Sequence, residues 1–134
     1  MRKILVVLLL VLSVLSSVNI SWGAGAKMPA IPGERQYEES GVCSNGAAAV
    51  FVGYERPENE DAIWWDAEVM YLRGDPRPVS ILIPDNPFNR DSSASLYVDY
   101  DGDGLVDDYW RITRDNDPSP SYCELLARAK QRRR

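Results

Sequence analysis

Five acids stand between residues 99 and 108 with no base among them: Asp99, Asp101, Asp103, Asp107 and Asp108. The run Asp99-Tyr100-Asp101-Gly102-Asp103-Gly104-Leu105-Val106-Asp107 puts carboxylates at positions 1, 3, 5 and 9 of a loop. Alternate residues of a tightly curled loop aim their side chains inward. Gly104 at position 6 permits a sharp turn, and the carbonyl of Leu105 at position 7 is free to offer a backbone oxygen. Calcium takes six to eight oxygen ligands at about 2.3–2.6 Å, which suits this donor set; magnesium prefers fewer protein ligands and keeps its waters. A plain hairpin turn, which two Asp-Gly pairs also favour, gains nothing from the crowding. Two like charges 4 Å apart repel by about 1 kcal/mol in water and about 4 kcal/mol at an effective dielectric of 20, and a bound cation reverses that term. The expected metal ligands are therefore Asp99, Asp101, Asp103, Leu105 through its carbonyl, and Asp107, with Ca2+ as the ion.

The pattern D-x-D-G-D-G-x-x-D resembles the calcium loops of EF-hands, dockerins, thrombospondin type 3 repeats and integrin-type β-propeller repeats. The likeness spans about nine residues and implies ligand roles for those five positions only. An EF-hand carries a bidentate acid at position 12, where this chain has Trp110. The flanks Leu96–Tyr100 and Val106–Ile112 read as strands and not helices. The loop is thus most similar to the integrin type, which lies between two strands and ends its ligands at position 9. A single loop in 134 residues excludes a propeller.

Elsewhere the chemistry is sparse. The absence of histidine removes Ser-His-Asp and Cys-His nucleophilic sites and His-containing zinc sites, and two cysteines cannot build a four-thiolate site. No glycine-rich phosphate loop matches. Trp64 and Trp65 adjoin Asp66 and Glu68, a pairing that could stack on a sugar; the commoner arrangement has one Trp in the core and the other half-buried. Glu55, Glu58, Glu60 and Asp61 surround Pro57 and read as a solvated loop. Two functions compete on these grounds. One is a small exported calcium-binding module whose ion is mainly structural and whose surface meets an unknown protein or glycan partner. The other is a carboxylate-based envelope enzyme or carbohydrate-binding protein using Trp64 and Trp65. A cleft joining the Trp pair to carboxylates with raised pKa would speak for the second.

The elements that must hold these residues follow from pattern. Residues 1–26 read as a secretory signal: Arg2 and Lys3, an apolar run from Ile4 to Val18, then Ala24-Gly25-Ala26 for cleavage. The run is short for a membrane span. Residues 27–134 would form one secreted or periplasmic domain with no membrane span. The 15 Lys and Arg include Arg2 and Lys3, so against 20 Asp and Glu the rest of the chain stands at −7. That balance disfavours nucleic acid. Arg128, Lys130, Arg132, Arg133 and Arg134 crowd the end, where basic residues suit a helix C-terminus or a solvated tail.

Residues 27–46 read as an irregular lead-in punctuated by Pro and Gly. Strands are expected at Ala48–Tyr54, Asp66–Arg73, Val79–Ile83, Ser95–Tyr100 and Val106–Thr113. Ser121-x-x-Glu124 forms a capping box, and Tyr122, Leu125, Leu126 and Ala129 repeat at helical spacing, so 121–131 is expected to be a helix. Short connections favour antiparallel pairing. The expected fold is α+β, an antiparallel sheet of about five strands with a C-terminal helix on one face; the alternative is a small β-sandwich. Cys43 and Cys123 are expected to bond, as an even cysteine count in an oxidising compartment implies.

Overall fold

The computed structural model describes residues 25–133. The signal-peptide reading falls on residues 1–26 and so lies almost wholly outside the described part. Six strands form one antiparallel sheet in sequence order: β1 (Glu34–Val42), β2 (Ala48–Glu55), β3 (Ala67–Leu72), β4 (Pro78–Pro84), β5 (Ala94–Val98) and β6 (Asp108–Ile112). Among the described residues one α-helix, α1 (Tyr122–Arg132), follows the sheet, and a short 3-10 turn lies at Pro57–Asn59. The α+β expectation holds, and the described residues form one sheet where a sandwich would need two.

The helix forms where its signals stand. The Ser121 hydroxyl accepts from the Glu124 N–H at 3.3 Å, and Leu125, Leu126 and Ala129 are buried along one stripe. That stripe packs on Ala47, Ala49, Met70, Val79, Leu96 and Val98. Burying one such aliphatic side chain is worth roughly 1.5–3 kcal/mol, so this contact is the main source of cohesion. The opposite sheet face is smaller: Ala67, Val69 and Ile81 are covered by Met28 and Ile31 of the lead-in. Each face therefore has its own apolar cover.

The lead-in differs from expectation. Residues 34–42 are not irregular but make β1, paired with β2 from Glu34↔Glu55 to Val42↔Ala48. All nine of its residues are exposed, so it shows no alternation of buried and exposed positions. Backbone pairing to β2 holds it as the outer strand. The Cys43–Cys123 disulfide is present, with Cα atoms 5.7 Å apart, and ties the β1–β2 turn to the first turn of α1. The Asn45 side chain donates to the Cys123 carbonyl at 3.1 Å, a second tie at the same place.

Candidate functional site

The acidic loop joins β5 to β6. Its sharp bends require positive φ at Gly102 and Gly104, 74° and 83°, where an L side chain is strained. Asp99 is buried at 2% exposure, and its two oxygens accept the N–H groups of Gly102 (2.8 Å) and Gly104 (2.9 Å). Asp107 accepts the Tyr100 N–H at 2.7 Å. These bonds curl the loop around its first carboxylate. One oxygen each from Asp99, Asp101 and Asp107 lies within 4.8 Å of the others. Two ligands of one calcium ion stand at most about 5 Å apart, so the three carboxylates are near enough to hold one ion. Asp103 stands outside the convergent group, exposed, with its Oδ1 accepting the Leu105 N–H at 2.9 Å. The Leu105 carbonyl meets no hydrogen-bond donor among the described residues.

Burial pushes the Asp99 carboxyl above its ordinary range. The N–H of Gly104 opposes that shift, and the neighbouring Asp101 carboxyl reinforces it. A cation among these groups would reverse the penalty of the crowding.

Three further groups position the loop. The Arg133 side chain is 2% exposed and donates to the carbonyls of Asp99 (2.7 Å), Tyr100 (3.0 Å), Arg77 (2.7 Å) and Pro78 (2.8 Å), and to Asp75 (3.2 Å). It is neither a solvated tail residue nor a simple partner of the helix dipole, but the clamp between α1 and the start of the loop. Arg77, paired with Asp75, lies so close to Gly102 that a Cβ there would meet its guanidinium at 2.7 Å. The acidic stretch, free of bases in sequence, thus has two arginines beside it in space. On the other side, the N–H groups of Gly25 and Met28 donate to the carbonyls of Val106 and Gly104, each at 2.8 Å. The Val106 N–H donates to the Ala26 carbonyl at 2.7 Å, so residues 25–28 strap the loop.

The tryptophan pair leads to a second place. Asp66 is buried and turned inward, accepting the Arg56 N–H and the Asn59 amide, which fixes the 56–66 connection. Neither Trp enters the core: Trp64 is 46% exposed, its indole N–H donating to the Asn89 carbonyl, and Trp65 is half-buried. Trp65 lies across Gly53, where a Cβ would meet its ring at 2.6 Å. Register explains the gap. Gly53 pairs with Tyr37 on one side and Glu68 on the other, so the missing side chain leaves a slot in that row for the indole. The Tyr37 ring stacks near Trp65, centroids 5.9 Å apart at 15°. Together with Glu39, Phe51, Glu68 and Tyr122, these residues line a cleft of about 360 Å³ on the helix-bearing face. Burial raises the Glu68 carboxyl, and nearby Glu39 raises it further. A smaller recess of about 170 Å³ shares Trp65 and Glu68 and adds Trp64. The run Glu55, Glu58, Glu60 and Asp61 forms no metal-sized group among the described residues.

No family model, curated protein or solved structure matches the chain.

Proposed function

We propose that the protein is a small exported calcium-binding module in which the ion serves mainly to hold the β5–β6 loop. The observation that carries this reading is the convergence of Asp99, Asp101 and Asp107 within 4.8 Å on a loop curled by two positive-φ glycines. Leu105 offers its carbonyl, water completes the shell, and Asp103 serves as an outer charge. Export rests on the leader read in residues 1–26, and the disulfide suits the oxidising compartment it implies. Among the described residues no helix is long and apolar enough to cross a membrane.

Calorimetric titration of the exported chain with calcium tests the reading. Saturable binding is expected near 10⁻⁴–10⁻³ M, the range of extracellular calcium modules. Asp101→Asn removes a convergent ligand and should weaken binding about tenfold or more, whereas Asp103→Asn should weaken it less. Equal effects of the two substitutions would place the ion elsewhere in the loop.

The rival reading, a carboxylate-based enzyme or sugar-binding protein at the Trp pair, draws on the cleft that joins Trp65 to Glu68. A sugar presents donors and acceptors in equal measure. The cleft holds the donors of Ser40, Tyr122 and Trp65 beside two carboxylates, with the Tyr37 hydroxyl spent on Glu39 at 2.8 Å and no Lys or Arg lining it, so negative charge without a counter-charge sets it apart from a sugar site.

A further inference from the structure

The same imbalance identifies what the cleft is built to take. Glu68 is partly withdrawn from water, and among the described residues its carboxylate meets neither a hydrogen-bond donor nor a basic side chain. Its oxygens keep contact with water, and in a partly dry cleft a cation that reached them would be held more strongly than at an open surface. Glu39 lies close enough to add its own charge, and the walls are aromatic: Tyr37, Trp65 and Tyr122.

Each candidate occupant makes a different demand. A hard metal ion wants six to eight oxygens and gains nothing from ring faces, and two carboxylates leave its shell mostly unfilled. A neutral sugar could use the Ser40 and Tyr122 hydroxyls and the Trp65 N–H, but it brings no charge to answer Glu39 and Glu68. An ammonium group dressed with alkyl carbon fits both features: it is weakly hydrated, is drawn to the negative face of Trp and Tyr within about 6 Å of the ring centre, and neutralises a carboxylate.

We infer that the cleft between Trp65 and Tyr122 binds a small organic cation, an alkylated ammonium group, held by the rings of Tyr37, Trp65 and Tyr122 and by the carboxylates of Glu39 and Glu68. Gly53 sets the position of Trp65, since any side chain there would displace the indole. The Cys43–Cys123 bond sets the position of Tyr122, which packs edge-on against Phe51 with ring centroids 5.4 Å apart. The site shares no residue with the acidic loop and stands independently of the calcium reading.

Choline chloride is the direct probe, titrated into the exported protein in the presence of a chelator. Saturable quenching of tryptophan fluorescence is expected, with choline methyl protons shifted upfield by the rings in wild-type protein. Glu68→Gln should weaken binding about tenfold, the loss of one desolvated charge contact. Gly53→Ala should weaken it as much, while Glu58→Gln, an exposed carboxylate outside the cleft lining, leaves it unchanged. Phosphatidylcholine vesicles form a second arm: co-sedimentation assigns the cation to a lipid headgroup, and its absence beside choline binding assigns it to a free solute. The choline shift needs no variant, so a misfolded substitution does not spoil the test. A wild-type protein that shifts no choline resonance and shows no saturation at tens of millimolar would overturn the inference. So would binding of methyl glucoside in place of choline.

Discussion

Arg133 brings five acceptors together with almost none of its side chain exposed, four of them carbonyls of β4, its approach and the loop entrance. Removing a buried charged donor strands every partner at once. Arg133→Ala should therefore destabilise the domain by about 3 kcal/mol or more, read by urea denaturation, while exposed Lys130→Ala should stay within about 0.5 kcal/mol. Asp75 gives the same cluster a pH dependence. The Arg77 side chain holds its carboxyl well below the usual range, and Arg133 adds to that against the opposing effect of burial. A depressed folded-state pKa contributes stability that is present above the unfolded value of about 3.9 and fades as pH falls. Asp75→Asn should accordingly cost stability near pH 7, and the gap from wild type should narrow below about pH 4. A gap that widened in acid would refute this assignment. Nothing in the linear chain marks Arg133, since one arginine among five basic residues at a terminus looks like its neighbours. The acidic cluster was legible for the opposite reason: Asp99, Asp101 and Asp107 lie within nine residues, so spacing alone carries their convergence.

At the scale of elements, α1 and the inner strands announce themselves because burial imposes a period. The capping box and the Tyr122, Leu125, Leu126, Ala129 stripe fix the helix, and Val69, Ile81, Leu96 and Val98 are buried on their strands. β1 has no such imprint, being exposed throughout, and its Pro- and Gly-bounded sequence reads as irregular. The cleft was equally hidden. Its walls come from β1, β2, β3, the 56–66 connection and the start of α1, and only the sheet register brings them together. The disulfide fastens two of those elements across 80 residues of chain. In the chain-entropy account a loop of that length contributes about 4 kcal/mol. Cys123→Ser should lower the melting temperature markedly and also free Tyr122, so choline binding should weaken before the fold is lost. Two free thiols in native exported protein would remove the staple from the account.

Over the whole molecule, the acidic loop is the meeting point of three otherwise separate parts. Met28, which cleavage after Ala26 leaves in place, donates to the Gly104 carbonyl, Arg133 from the last turn of the chain clamps the loop's start, and β5 and β6 enter and leave it. An ion held by Asp99, Asp101 and Asp107 would therefore stabilise the ends of the domain together and not a turn alone. The size of that effect follows from mass action. At about 1 mM calcium and a dissociation constant of about 10⁻⁴ M, binding adds roughly 1.4 kcal/mol. For a domain near 100 residues this raises the melting temperature by several degrees. Asp101→Asn should abolish most of that rise, and by relieving one like-charge contact it should leave the calcium-free form as stable as wild type or more so. The measurement that decides the matter is the thermal melting of the exported protein in calcium and in chelator. An ion in the loop should raise the melting temperature several degrees in calcium, a rise lost in Asp101→Asn. Superimposable curves for the wild-type protein, with no heat of binding at millimolar calcium, would show that the loop is a turn and not a metal site.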